Sequence, residues 1–390
     1  MEFGYTLRPQ KIISGIQADL IRIVVRVTMA SLVCRRYKNP VRSINILRKL
    51  VQHRRAFSGE KIRKIVKVDG KYHWDLYVPG FKSRALYRFF EGEANRISPS
   101  GMKTPRFTNI LIAITKRCPM NCEHCYEWDS INGKETLTIS DIKNIVRRFQ
   151  EKGTGQIQLT GGEPLSRMND TLELLRSSAS GSEFWIFTSG YNLTSENAKK
   201  LKEAGLTGVV VSLDHFEPLV HNQFRGSDNA FEWVQLAVKN AIEANLVTAL
   251  SICLSKSFVS AANLMAYSEL AKKMGVSFIQ LLEPMAVGHY KGKDISLDAE
   301  QEKILEDFYL KMSYDKKYRE FPILCYHGYY QRKVGCFGSG NRSLYVDTEG
   351  NLLACPFCRA KMGNALSNDL DFEIEQLVRA GCHRHETSQF

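Results

Sequence analysis

From Asn109 the sequence alternates six short apolar runs, at 109–115, 156–160, 184–188, 208–213, 248–254 and 278–282, with five helix-periodic stretches, at 138–152, 168–179, 194–204, 229–244 and 260–273. Few folds accommodate that rhythm. Short apolar runs separated by amphipathic helices bury their surfaces as parallel strands with right-handed crossovers. The pattern predicts an α/β fold, a partial (β/α)6 barrel of the TIM type, in which chemistry sits at the C-terminal ends of the strands. Thr194, with Glu196 and Asn197 behind it, is the expected N-cap of the third helix.

Three regions follow from this: a basic extension at 1–105, the barrel at 106–330, and a small cysteine-rich extension at 331–390. The chain carries 54 Lys and Arg against 41 Asp and Glu, and residues 1–67 hold 16 of the former against Glu2, Asp19 and Glu60, which accounts for the whole net charge of +13. Ile16, Leu20, Ile23 and Val27 recur at helical spacing, with Asp19, Arg22 and Arg26 on the other face. The apolar stretch from Ile12 to Cys34 is long enough to span a bilayer, but those three charges interrupt it. A second basic stretch from Val41 to Arg55 places Ile44, Leu47, Leu50 and Val51 on one side, so that a basic, apolar-backed helical hairpin is expected. An anionic membrane surface, an acidic partner or nucleic acid would attract it, although no nucleic-acid-binding signature accompanies the charge, and the plain alternative is a solvated helical extension packed on the domain. Between Lys64 and Tyr77 two alternating runs flank Asp69-Gly70, a hairpin signal ended by Val78-Pro79-Gly80, and a polar linker at 98–104 closes the extension.

Ten cysteines occur in a chain of 390 residues whose 44% hydrophobic content can fill a core without disulfides. No signal-peptide pattern is present at the N-terminus, so a reducing cytoplasm is the expected location, with peripheral placement on the inner face of the membrane the option that the basic hairpin opens. Clustered thiols there point to metal ligation. Just past the first strand, Cys118, Cys122 and Cys125 lie at x3 and x2 spacings on one loop, able to wrap a cubane cluster and leave its fourth iron open. Zinc is the alternative, but His124 is too close in sequence to join its neighbours easily as a fourth ligand.

The segment CPMNCEHC resembles the C-x3-C-x2-C signature of the radical S-adenosylmethionine (SAM) superfamily. Gly161-Gly162-Glu163-Pro164, after the second strand, is similar to the GGE motif that receives the methionyl ammonium, and glycines suit a backbone approached closely by a ligand. Ser189 within Thr188-Ser189-Gly190 resembles a cofactor-side position. Ser212 and Asp214, ending the fourth strand, resemble polar residues near the ribose, against a plain reading as strand-end caps. Pro284 and Gly288 resemble an adenine-side turn, and His124 takes a place that is usually aromatic. The resemblance implies a [4Fe-4S] cluster, SAM, a reductant such as flavodoxin or ferredoxin, and reductive cleavage to a 5′-deoxyadenosyl radical that abstracts hydrogen from substrate.

Beyond the barrel, Cys336, Cys355, Cys358 and Cys382 form a second group, with Cys325 upstream as an alternative ligand. The spacing of Cys336, Gly350 and Cys355 resembles the first half of a SPASM extension, here shortened to a twitch-like form. One auxiliary [4Fe-4S] cluster is implied, with structural zinc as the competing reading. The resemblance spans roughly residues 106–364. Cys34 and Cys253 read as lone buried or helix-face thiols. No catalytic donor is assigned, although Glu283, Tyr126 and His215 fall near strand ends. A lipid or lipid-linked substrate follows from the basic N-terminus, a peptide from the SPASM-like extension, and a non-catalytic cluster- or zinc-binding scaffold is the reading from another class.

Overall fold

A computed structural model describes residues 9–58, 64–99 and 107–382, apart from 337, 339 and 341. Most of the expected 98–104 linker therefore lies outside the described residues. The N-terminal region comprises β1 (Lys11–Ser14), α1 (Ile16–Tyr37), α2 (Pro40–Ser58), β2 (Lys64–Val68), β3 (Lys71–His73) and α3 (Arg84–Ile97). The alternating region follows as β4 (Asn109–Ala113), α4 (Ile139–Glu151), β5 (Gln156–Thr160), α5 (Met168–Ser177), β6 (Glu183–Thr188), α6 (Ser195–Glu203), β7 (Leu206–Ser212), α7 (Pro218–Arg225), α8 (Ala230–Glu243), β8 (Val247–Cys253), α9 (Ala261–Lys273) and β9 (Phe278–Leu282). The chain continues through α10 (Ala299–Tyr314), β10 (Ile323–Tyr326), α11 (His327–Val334), β11 (Ser343–Val346), β12 (Leu352–Leu353) and α12 (Leu370–Ala380).

All six expected strands form one parallel series, β4 to β9, with Thr194 capping α6 by accepting from the Asn197 backbone N–H at 3.2 Å. The sheet is longer than the sequence rhythm predicts. β10 adds in parallel beside β9, and β11, from the cysteine-rich extension, pairs in parallel with β4, giving nine strands among the described residues in the order β10-β9-β8-β7-β6-β5-β4-β11-β12. The strands are fully buried runs such as Ile157, Ile186, Val209 and Leu250, which fits a sheet covered on both faces.

The N-terminal region closes the opposite end of the barrel from the strand C-termini. Gln10 bonds to Leu246 O and to the backbone of Thr248 and Gly275, and the Lys64 ammonium donates to Phe321 O at 3.1 Å, all beside strand starts. The Asp69-Gly70 hairpin is present, with both residues at positive φ (47° and 74°), as its tight turn requires. Its second strand is only Lys71–His73, shorter than the alternation up to Tyr77 suggests. The chain leaves the sheet there because Leu76 is needed in the barrel, where it packs with Val66, Val68, Trp185, Val210 and Phe278.

Ile12 belongs to β1 rather than to the first helix, which begins only after Gly15. The helical hairpin also orients differently from a simple amphipathic reading. Ala18, Val33 and Tyr37 of α1 are buried and Val25, Met29 and Leu32 pack toward Phe81, Leu86 and Phe90, whereas Ile16, Leu20, Ile23 and Val27 point to solvent. No helix among the described residues is long and apolar enough to cross a membrane.

Candidate active site

The cysteine loop after β4 lacks regular secondary structure, so its backbone groups must find partners elsewhere. They do so on three sides. The N–H groups of Asn121 and Glu123 donate to the carbonyls of Arg225 and Phe224, both at 3.0 Å, at the end of α7. The Asn132 side chain brackets Cys118, accepting from its N–H at 2.9 Å and donating to its carbonyl at 3.1 Å. His289 donates its N–H to Cys125 O at 2.9 Å and places Nδ1 3.0 Å from Cys122 O. Gly288 allows this approach, since a Cβ there would sit 2.2 Å from Cys125 O at a φ of +56°.

Gly161 and Gly162 meet the same loop from β5. Gly162 N donates to Thr115 O at 2.8 Å and Glu163 N to Arg117 O at 2.7 Å, and a Cβ on Gly162 would lie 2.3 Å from Arg117 O. The Glu163 carboxylate is turned to the next strand end, accepting from Thr188 Oγ1, Ser189 N, Ser189 Oγ and Leu165 N at 2.8, 2.7, 2.6 and 3.1 Å. Burial raises its pKa, opposed by the bonds from Ser189, Leu165 and Thr188.

One cleft, about 1130 Å³ including its open mouth, gathers Cys118, Cys122, Cys125, His124, Gly161, Gly162, Glu163, Ser189, Ser212 and Asp214. Of the residues singled out in sequence for the cofactor side, Pro164, Pro284 and Gly288 are absent from its lining; Pro164 is buried and opens a short 3-10 turn. Tyr126 and Glu283 also face the cleft. His215 does not, stacking instead on Phe216 with 4.5 Å between ring centroids. Glu283 accepts from Tyr326 Oη at 2.5 Å and Arg332 Nη1 at 2.6 Å.

Three contributors were not singled out for these roles. Arg225, at the end of α7, pairs through Nε with Asp214 at 2.5 Å and directs Nη1 to the Cys122 sulfur at 3.7 Å. Asp214 Oδ1 accepts from Cys253 N at 2.9 Å. Burial alone would raise Asp214, but Arg225, with His124 and His221, holds it below its ordinary value. Cys253 itself lines the cleft, contrary to its reading as a lone buried thiol, because β8 ends there. Phe357, between Cys355 and Cys358, reaches the cleft from the C-terminal extension and meets Tyr126 edge-on at 6.0 Å. The signal for Arg225 was faint: Gly226 follows it, and a Cβ there would sit 2.7 Å from Asn121 O.

The donor set suits an iron–sulfur cluster. Burial pushes Cys118 and Cys125 up to about 12, and it raises Cys122 against the opposing charge of Arg225. Three thiols so placed become thiolates only beside strong positive charge, such as cluster iron. Among the described residues no three His, Cys, Asp or Glu side chains gather closely enough for a single metal ion.

In the C-terminal extension Cys355 and Cys358 face each other across a tight turn, and the Cys358 and Cys382 sulfurs lie 3.7 Å apart. Cys336 is buried ahead of β11. Cys325 sits apart, in the barrel interior on β10 with Trp185 and Phe278, so its candidacy as an alternative ligand of this group does not fit its position. Glu127 ties the two regions, accepting from Tyr345 Oη at 2.8 Å and Arg359 Nη1 at 2.9 Å.

Residues 112–256 match the Radical SAM superfamily. That segment is a Radical SAM domain. A domain of that family implies a [4Fe-4S] cluster and SAM binding. Among curated relatives, a probable GTP 3′,8-cyclase of Methanococcus aeolicus is 31% identical over 186 residues, covering 46% of this chain and 60% of the relative, less than two thirds of its length. An AdoMet-dependent heme synthase of Methanosarcina barkeri is 26% identical over 275 residues, covering 64% of this chain and 77% of the relative. Streptococcus suis SuiB bound to precursor peptide SuiA superposes with a TM-score of 0.57 at 13% identity, over 76% of this chain and 71% of that one. Native anSMEcpe with bound AdoMet and Cp18Cys peptide gives 0.52 at 18% identity, over 69% and 79%. These two likenesses speak to the fold alone.

Proposed function

We propose that this radical SAM enzyme holds its [4Fe-4S] cluster through Cys118, Cys122 and Cys125 and cleaves SAM reductively in the adjoining cleft. The observation that carries the reading is that one cleft is lined by all three thiols, by Gly161 and Gly162 and by the polar ends of β6 and β7. When bound, the cluster supplies the electron that splits the sulfonium into methionine and a 5′-deoxyadenosyl radical, which takes hydrogen from substrate. Gly161 and Gly162 leave room for the methionyl end, Glu163 fixes the Thr188-Ser189 turn, and Asp214 with Arg225 fixes the floor beside Cys122. Cys355, Cys358 and Cys382, with Cys336, are the proposed ligands of one auxiliary cluster, and Phe357 lies between that group and the cleft.

A lipid or lipid-linked substrate is the first candidate, since the basic N-terminal helices expose apolar side chains. A peptide is the second, in line with the peptides named for SuiB and anSMEcpe. The decisive experiment is anaerobic reconstitution with iron and sulfide, dithionite reduction, and chromatographic detection of 5′-deoxyadenosine. Wild type is expected to form it and a Cys118→Ala/Cys122→Ala/Cys125→Ala variant to form none while retaining the auxiliary iron. A fully loaded wild type that forms no nucleoside with or without candidate substrates would overturn the reading.

A further inference from the structure

α1 is apolar on two faces, and only one of them is packed among the described residues. Its inner face packs on α3 and the β2–β3 hairpin. Its outer face shows Ile16, Leu20, Ile23, Val24 and Val27, exposed by between 53% and 80%, at spacings of four, seven, eight and eleven from the first. That is a single stripe along the helix. The neighbouring α2 adds Val41, Ile44 and Val51, also exposed. Scattered exposed aliphatics need no explanation, but five in one stripe along α1, with three more on the adjoining α2, are a concentration that calls for one.

The charge around the stripe selects the occupant. Between residues 9 and 58 the sequence holds eleven Lys and Arg and one acid, Asp19, which is itself paired with Arg22. Arg48 and Arg55 share the outer face of α2 with Val41, Ile44 and Val51 at helical spacing, and Arg26, Arg35, Lys38, Arg42 and Lys49 are exposed nearby. A second copy of this chain would bring the same positive charge against itself, which an isologous contact cannot relieve. A surface that is both apolar and anionic satisfies both features at once. We propose that the α1–α2 hairpin docks this protein on an anionic lipid surface, with the outer face of α1 entering the headgroup boundary and the basic side chains meeting lipid phosphates.

This docking is independent of the radical chemistry and of the substrate, and its test reads lipid binding alone. The purified full chain is floated with phosphatidylglycerol-containing phosphatidylcholine vesicles and with phosphatidylcholine vesicles. Binding to the first only is expected. A Leu20→Ser/Ile23→Ser/Val27→Ser variant, which alters exposed positions only, and an Arg48→Glu/Lys49→Glu variant should each weaken it by at least about tenfold with unchanged far-UV circular dichroism. High salt should release the wild type. Equal flotation of wild type and both variants, or none by the wild type, would overturn the proposal. So would a wild-type dimer in sedimentation velocity that the serine variant dissolves, since the stripe would then be a contact between copies.

Discussion

Arg225 stands with Nη1 3.7 Å from the Cys122 sulfur and Nε 2.5 Å from the Asp214 carboxylate, so one buried cation serves a cysteine of the motif loop and a β7 strand-end residue together. Replacing it with Met leaves Asp214 buried without its partner, at a cost of about 3–5 kcal/mol. Arg225→Met should lower the denaturation midpoint accordingly and shift the midpoint potential of the reconstituted cluster negative by roughly tens of millivolts, because reduction adds negative charge where a positive one was removed. Arg225→Lys should recover part of both. An unmoved potential would show the arginine to be a purely structural partner of Asp214.

Glu163 accepts from two backbone N–H groups and two hydroxyls. Glu163→Gln turns one acceptor oxygen into a donor that faces another donor. About 1–3 kcal/mol of stability should be lost, read by urea unfolding, and the affinity for SAM should fall as the Thr188-Ser189 turn loosens.

Close backbone approaches around the cysteine loop predict a graded glycine series. Gly162→Ala and Gly288→Ala would push a methyl to within 2.3 and 2.2 Å of the Arg117 and Cys125 carbonyl oxygens. Both should reduce iron incorporation severalfold. Gly292→Ala, strained only by its φ of +77° with open space around it, should cost about 1–2 kcal/mol of stability and leave iron content unchanged.

Burial, with smaller contributions from Lys71 and Lys202, lowers His73 from 6.5 to about 3, and neither ring nitrogen has a hydrogen-bond partner among the described residues. The unfolded chain therefore binds a proton that the folded chain refuses between those values. Stability should fall as pH drops through 6.5 and go on falling to about 3, at up to about 1.4 kcal/mol per pH unit. His73→Leu should flatten that part of the acid-unfolding curve. Equal slopes in the two proteins would show that other groups govern acid stability.

The barrel strands, the Asp69-Gly70 hairpin and the cysteine loop were legible in the sequence because each is a local pattern: apolar runs of strand length, a turn pair whose positive φ values its residues accept, and three thiols within eight positions. The extra strands were not. β10 and β11 are four residues each, and their place in the sheet depends on Cys325 and Leu344 finding parallel neighbours far away in sequence.

What the sequence determined by itself was the repeating βα unit and the residues at its strand ends, since period and spacing are properties of neighbouring positions. Tertiary structure alone decided which apolar face of α1 is covered, because both faces carry aliphatic residues and only the packing of α3 and the β2–β3 hairpin chooses between them. It alone brought Arg225 to Cys122, which are 103 positions apart, and Phe357 to the cleft. A contact that depends on where a helix ends in space leaves no periodic trace in the chain, and it appears only once the barrel has closed around it.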